Sequence, residues 1–139
     1  MYLLDTNVVS ELRRPDKAAS AVLAWSRAAV ADQLFISSIT VFEIELCVRQ
    51  KERRDATQGR LLRQWLEMQV LPQFQGRVLD VDIAVARRCA ALHSAHPAPE
   101  RDAWIAATAL VHHMTVVSRN TRDFLACGAQ VFNPWLAPD

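Results

Sequence analysis

Short apolar runs alternate with amphipathic segments along the chain. Residues 2–4 and 34–36 are brief runs of large apolar side chains, which are typical of strands buried in a sheet. Between them, apolar positions recur every three or four residues over 18–31 and predict an amphipathic helix. Further strands are predicted at 78–81, 115–117 and 130–132, and further helices at 8–12, 40–54, 59–70, 82–94, 102–113 and 120–126.

This alternation, without a tight-hairpin signal, predicts an α/β fold. Helical crossovers between parallel strands are right-handed and cover both faces of the sheet. We therefore expect a three-layer α/β/α arrangement with a parallel sheet of four to five short strands. With 51% hydrophobic residues and no repeat or linker segment, the chain is expected to form a single domain over residues 1–139.

Three widely separated acidic residues lie close to predicted strand ends or helix starts. Asp5 follows the first strand, Glu43 lies beyond the second, and Asp102 precedes an alanine-rich helix. In open α/β sheets, ligands bind at the carboxyl ends of the strands, so these carboxylates can converge there. Carboxylate oxygens are preferred ligands of Mg²⁺ and Mn²⁺, and such ions promote phosphodiester hydrolysis. The pattern therefore favours a metal-dependent site formed by the three acids.

A purely structural role is an alternative for each of the three acids. A carboxylate near a helix N-terminus is stabilised by the helix dipole, which would suit Asp5 and Asp102 equally well. Thr40 and Glu43 have the spacing of a capping box, in which the Glu43 side chain would bond back to the Thr40 amide. The residues alone leave both interpretations open.

Charge and cysteine content exclude several classes of protein. The formal net charge of +1 gives no general attraction to polyanions, so nucleic-acid binding would need local basic patches. The three cysteines contain no C-x-x-C pair, which argues against a disulfide framework and suits a reducing cytosol. No apolar run approaches the roughly 18 residues that span a bilayer. We expect a cytoplasmic protein that has no membrane partner.

The chain resembles the PIN-domain ribonuclease toxins of the VapC type, FitB-like branch. Four motifs occur in the family's order along nearly the whole chain, followed by a fifth segment that resembles the ending of that branch. They are LDTNVVSEL at 4–12 with Arg14 and Pro15, SSITVFE at 37–43, DAWIAATA at 102–109, VSRNTRDF at 117–124 and VFNPW at 131–135. The resemblance implies a PIN-like fold and a Mg²⁺- or Mn²⁺-dependent endoribonuclease that serves as the toxin of a type II toxin–antitoxin pair.

The same resemblance implies roles for individual residues and for partners. Asp5, Glu43 and Asp102 match the family's acidic triad, which would bind the metal and cleave RNA. Many members have a fourth acid where this chain has Asn120, and Asp123 follows three residues later. Family members usually form homodimers and are inhibited by a small antitoxin. Thr6 and Ser118 are expected to orient the acids through hydrogen bonds.

Arginines beside the first and fourth motifs are candidate RNA contacts. Arg13 and Arg14 follow Asp5, and Arg119 and Arg122 lie in the fourth motif. A rival basic segment, residues 49–63, carries an excess of positive charge, although a solvated helix face would look the same. The sequence leaves the RNA-binding surface open between these regions.

Two other functions and one other metal site compete with the nuclease interpretation. Asp5 could be the nucleophile of a phosphatase or phosphotransferase, but such enzymes normally have a second acid two residues later, where this chain has Asn7. A catalytically silent protein-binding module is the other alternative. Cys89, His93 and His96 have helical spacing but offer only three loose ligands for zinc.

Overall fold

The computed structural model describes residues 1–95 and 97–136, which form a five-stranded parallel sheet with helices on both faces. The strand order is β3-β2-β1-β4-β5, so the first strand is central. The strands are β1 (Tyr2–Leu4), β2 (Leu34–Ser37), β3 (Val78–Leu79), β4 (Thr115–Val117) and β5 (Val131–Phe132). The predicted α/β class and parallel sheet are confirmed.

Eight α-helices connect the strands of the described part of the chain. They are α1 (Thr6–Glu11), α2 (Ser20–Ala28), α3 (Ser38–Arg54), α4 (Ala56–Trp65), α5 (Leu71–Gln73), α6 (Ile83–Ala95), α7 (Glu100–Val111) and α8 (Thr121–Ala126). Short 3₁₀ turns occur at Ala31–Gln33 and Pro134–Leu136. Within residues 1–95 and 97–136, no helix combines the length and apolar character needed to cross a bilayer.

Several predicted helix boundaries are wrong for local reasons. The helix predicted over 59–70 is α4 followed by a π-helical segment, Leu66–Val70, and the carboxylate of Asp55 caps its start by accepting from Gln58 N at 3.1 Å. The helix predicted to end at residue 31 ends at Ala28, because Ala29 is extended. The third strand ends at Leu79, two residues before its predicted end.

The sheet separates two apolar cores. Leu4 and Val117 face a cluster that contains side chains of α1, α3 and α4, whereas Leu3 and Val116 face a cluster formed with α7 and α8. Neighbouring residues of a strand point to opposite faces, so two adjacent leucines reach both cores. This two-sided burial produces the predicted three-layer arrangement.

The order in which strands are added to the sheet switches sides at β1. Strands β2 and β3 extend to one side of β1, and strands β4 and β5 extend to the other. Leu4 pairs with Val117 at the carboxyl end, and Asp5 N donates to the Val117 carbonyl at 2.9 Å. Such a switch in strand order opens a crevice beyond the strand ends. The residues that directly follow β1 and β4 therefore face the same crevice.

Helices α3 and α4 form a closely packed hairpin at one side of the molecule. Gly59 is buried, and a β-carbon added there would lie 2.5 Å from the Glu52 Cα. Arg63 also forms ion pairs with Glu45 at 2.7 Å and Glu52 at 3.0 Å. Because these pairs are partly exposed, we expect the close backbone contact to contribute more to stability than they do.

Gly59→Ala should therefore destabilise the protein by about 1–3 kcal/mol, because the new methyl group overlaps helix α3. A glycine-to-alanine change inside a helix is normally stabilising by about 1 kcal/mol, so the sign of the effect is informative. Urea unfolding measures the free energy change, and Gln64→Ala, at an exposed position of the same helix, is the control. A Gly59→Ala protein more stable than the original would contradict the close packing.

Candidate metal centre

Asp5 lies at the carboxyl end of β1 and also begins α1. Its Oδ1 accepts a hydrogen bond from Thr6 N at 2.8 Å, and its Oδ2 accepts one from Ser118 Oγ at 2.7 Å. Asn7 Nδ2 donates a longer bond of 3.4 Å to the same Oδ2. Only 5% of Asp5 is exposed. Asp5 thus caps a helix, as the structural alternative predicts, and also presents its carboxylate among residues of other segments.

Glu43 belongs to the second turn of α3, where its carboxylate meets α1 and α7. Its Oε1 accepts a hydrogen bond from Thr6 Oγ1 at 2.7 Å, and its Oε2 lies 3.5 Å from Arg101 Nη1. The capping-box alternative is wrong, because α3 begins at Ser38 with the Ser37 side chain as its cap. The pattern at residues 40–43 lies wholly within the helix, so Glu43 is free to contact distant residues.

Asp102 lies in the first turn of α7, beside the fourth motif. Asn120 Nδ2 donates to Asp102 Oδ2 and to Asp123 Oδ2, each at 3.0 Å. A single neutral amide therefore bridges two carboxylates that belong to different helices. Asn120 itself is held by its backbone N–H, which donates to Ser118 Oγ at 2.9 Å. This arrangement places Asp123 next to Asp102, and the sequence left the part played by Asp123 open.

Burial and mutual repulsion raise the pKa of two of these acids. Burial raises the pKa of Asp102 to about 6, and the negative charges of Asp5, Asp123 and Glu43 add to this effect. Burial is also the main cause of the raised pKa of Asp5, which the two short hydrogen bonds to its carboxylate oppose. Asp5 and Asp102 are therefore costlier to ionise in the folded protein than in water.

The donor set fits a hard divalent cation. Asp5, Glu43, Asp102 and Asp123 supply carboxylate oxygens only, and Arg101 is the cation that contacts them within the described residues. Across residues 1–95 and 97–136, no three histidine, cysteine or acidic side chains already form a ligand set for one ion. A divalent ion at these acids would therefore have to be held partly through water, which is the usual behaviour of Mg²⁺.

The predicted RNA-contact arginines lie in different places. Arg13, Arg14 and Arg119 line one surface groove together with Asn7 and Trp135, whereas Arg122 is exposed on α8 and does not line that groove. In the rival basic segment, residues 49–63, Arg63 and Arg49 are paired with glutamates. Their pairing weakens the case for that segment as a phosphate-binding surface.

Two residues of the site were missed from the sequence. Asn7 donates to Ser118 Oγ at 3.2 Å and accepts from Arg119 N at 3.4 Å, so it joins the first and fourth motifs. Arg101 pairs with Glu43, and its guanidinium lies 5.5 Å from the Phe42 ring centroid. The position of Arg101 directly before Asp102 in the sequence was the available signal.

The zinc alternative gains no support from the described residues. Cys89 is buried between α6 and α7, where burial raises the pKa of its thiol and disfavours the thiolate that binds zinc. His96 lies outside the described residues.

Comparison with known proteins identifies the family. The family model for the PIN domain matches residues 2–128. The toxin FitB of Neisseria gonorrhoeae is 39% identical over 97% of this chain and 99% of that protein. A VapC ribonuclease of Sinorhizobium fredii is 39% identical over 97% of this chain and 98% of its own length.

A solved structure gives the same result for the fold. The structure of FitAB bound to a DNA fragment contains a chain that is 37% identical and superposes with a TM-score of 0.88, over 100% of this chain and 99% of that one. The match over residues 2–128 points to the same family as the sequence motifs and the parallel sheet with its central first strand. This chain is a member of the PIN-domain family.

Proposed function

We propose that this protein is a divalent-metal-dependent endoribonuclease and the toxin of a type II toxin–antitoxin pair. The observation that carries the proposal is the meeting of four carboxylates from four chain segments beyond the ends of β1 and β4. The relatives named as a toxin and as a VapC ribonuclease support RNA as the substrate. The 139 residues act as a single domain in this proposal.

Asp5 and Asp102 would hold a Mg²⁺ or Mn²⁺ ion together with Glu43, directly or through water. When bound, the ion supplies an activated water and neutralises charge on the phosphodiester. Asp123 stands where it can add a fourth negative charge, since it shares the Asn120 amide with Asp102. A neutral residue at 120 lowers the total charge of the site, and a single tightly held ion is the form that we propose.

The neutral side chains around the acids would fix their orientation. Ser118 holds one oxygen of Asp5, Thr6 holds one oxygen of Glu43, and Asn120 holds one oxygen each of Asp102 and Asp123. Asp5 has both oxygens held, because Thr6 N donates to its Oδ1, and each of the other three acids has one oxygen that accepts from a neutral donor. Such supporting hydrogen bonds commonly change metal affinity or activity about 10- to 100-fold when they are removed.

We also propose partners of two kinds, a cognate antitoxin protein and a second copy of this chain. Several large apolar side chains are strongly exposed, among them Met68 at 74% and Ile83 at 79%. Exposed apolar surface of this kind marks interaction sites when it forms patches. The similarity to the FitAB assembly supports a bound partner, and cytoplasmic action on RNA follows from the proposed reaction.

The two competing functions have no observation in their favour. A phosphatase would need Asp5 as a nucleophile and normally a second acid two residues later. Asn7, at the position where a second acid would stand, donates to Asp5 and Ser118 and so supports Asp5 as a fixed ligand. A silent binding module would give no reason for four repelling carboxylates at one place.

Asp5→Asn should abolish Mg²⁺-dependent RNA cleavage, with a loss of about 10³-fold or more in rate, because it removes a carboxylate that binds the ion. The measurement is cleavage of total RNA by the purified protein with Mg²⁺ and with a chelator. Asp80→Asn, at an exposed loop position, is the matched control and should cleave normally. Cleavage by Asp5→Asn at the original rate would refute the assignment.

The stability of the metal-free protein should fall as the pH rises from about 4 to about 6.5 through the Asp102 titration. The pKa of Asp102 is about 6 in the folded state and 3.8 when unperturbed, so its proton stabilises the fold below pH 4 and is lost through pH 6. Solvent screening limits the effect to about 1 kcal/mol.

The effect is measured by urea unfolding in the presence of a chelator at several pH values. The quantity compared is the difference in the free energy of unfolding between the original protein and Asp102→Asn. That difference should shift in favour of the variant as the pH rises, whereas the difference for Asp80→Asn should stay constant. A pH-independent difference for Asp102→Asn would show that neither burial nor the neighbouring carboxylates raise the pKa of Asp102 in the folded state.

Expression of the chain in bacteria without its antitoxin should stop growth, because RNA cleavage is unopposed. Asp5→Asn should leave growth normal, and co-expression of the cognate antitoxin should restore growth with the original chain. Growth curves with matched expression levels provide the measurement. Equal growth with the original chain and with Asp5→Asn, at equal protein levels, would contradict the toxin function.

A further inference from the structure

A basic groove adjoins the acidic site on the side of α1. Its volume is about 400 Å³, and it opens to solvent between α1, the chain after α1 and the C-terminal 3₁₀ turn. The residues that line it are Asn7, Ser10, Glu11, Arg13, Arg14, Lys17, Arg119 and Trp135. We call this surface the Arg13–Trp135 groove.

The groove carries a concentrated positive charge. Arg13, Arg14, Lys17 and Arg119 line it, and Glu11 is the one acid among the described residues of its lining. Within residues 1–95 and 97–136, none of these four cations forms an ion pair, in contrast to Arg63 and Arg49 on the α3–α4 hairpin. The charges of the groove are therefore available to an anionic ligand, although the net charge of the chain is only +1.

One wall of the groove is a cation–π pair of side chains. The Arg119 guanidinium lies 5.2 Å from the centroid of the Trp135 ring, and Arg119 itself is exposed. Trp135 is held in place because it packs on the core and because its backbone N–H donates to Asn133 Oδ1 at 2.9 Å. A planar guanidinium held in this way is a surface on which nucleobases stack.

Asn7 connects the groove directly to the acids. This side chain lines the groove and also donates to Asp5 Oδ2 and to Ser118 Oγ, while Arg119 N donates to Asn7 Oδ1. An RNA strand whose phosphodiester lies at Asp5 must leave the site on either side of the cut. The groove starts at Asn7, which contacts Asp5, and its cations and the Arg119 side chain could contact the RNA strand as it leaves the site.

We propose that the Arg13–Trp135 groove binds the single-stranded part of the RNA substrate next to the cleaved bond. Arg13 and Arg14 contact phosphates, and a base stacks on Arg119, for which Trp135 is a positioning residue. This inference rests on the proposed ribonuclease function. RNA is favoured over an acidic protein as the occupant, because Asn7 joins the groove to the acids where the phosphodiester would lie.

The test compares RNA binding and cleavage for a short and a long single strand. The probes are mixed-sequence RNAs of about 4 and about 12 nucleotides, lengths that bracket typical single-strand sites. Binding is measured by fluorescence anisotropy with Mg²⁺ over a range of salt, in an Asp5→Asn background that prevents cleavage. Cleavage of both probes is measured with Asp5 intact.

The double variant Arg13→Ala/Arg14→Ala should lose about tenfold or more in affinity for the long RNA, and its salt slope should fall in magnitude by about 1.4, at about 0.7 for each lost phosphate contact. Arg119→Ala should weaken binding of the long RNA about tenfold through lost stacking. The ratio of kcat/KM for the long RNA to kcat/KM for the short RNA should therefore fall in these variants, because the short RNA reaches less of the groove. Arg87→Ala/Arg88→Ala, at exposed positions of α6, is the charge-matched control for the double variant, and Arg88→Ala is the control for Arg119→Ala. Neither control should change the affinity for either RNA.

Trp135→Phe should retain the preference for the long RNA, since a ring remains beneath Arg119, whereas Trp135→Ala should lose it. The Arg13, Arg14 and Arg119 variants are at the surface, so they test the groove even if Trp135→Ala fails to fold. Circular dichroism checks folding for each variant.

The inference is overturned if the original protein cleaves RNA and all groove variants keep its length preference and salt slope. It is likewise overturned if the groove variants lose only antitoxin binding, which would assign the groove to a protein partner. Failure of the original protein to cleave any RNA has a different meaning, because it refutes the proposed ribonuclease function itself.

Discussion

Repulsion between carboxylates at one edge of the sheet is the constraint on which the rest of this structure depends. Asp5, Glu43, Asp102 and Asp123 come from four separate segments, and burial together with mutual repulsion raises the pKa of Asp102 to about 6. Their fixed neighbours are mostly neutral donors, namely a serine, a threonine and an asparagine. These donors orient the carboxylates without neutralising them, so the negative charge of the site remains available to a cation.

The fold explains how the acids are held together despite this repulsion. Leu3 and Leu4 anchor β1 in cores on both faces of the sheet, which fixes the end of the strand where Asp5 lies. The neighbouring strand β4 ends beside it and delivers Ser118 to the same crevice. Apolar burial on both sides of the sheet therefore supplies the stability that the charged edge lowers. Helix α3 contributes Glu43 to the site, whereas Arg49 and Arg63 of the α3–α4 hairpin form ion pairs with glutamates away from it.

The sequence predicts the scaffold of this site better than its contacts. Strand ends and helix starts are local patterns, so Asp5 and Asp102 could be placed at the correct edge of the sheet. The bond between Thr6 and Glu43 spans 37 positions and depends on how α1 packs beside α3, which no local pattern encodes. For the same reason the capping box at Glu43 was a reasonable but wrong local interpretation. The bridge from Asn120 to two acids equally required the packing of α7 against α8.

The most direct test of the central claim is the free energy of unfolding at pH 7 as a function of Mg²⁺ concentration, compared with NaCl at equal ionic strength. If the acids need a divalent ion, stability should rise by about 1.4 kcal/mol for each tenfold increase of free Mg²⁺ above its dissociation constant. NaCl should give only a small increase from screening, and Asp5→Asn should lose most of the Mg²⁺ response. Equal stabilisation by Mg²⁺ and by NaCl would contradict the claim that these four carboxylates form a metal site.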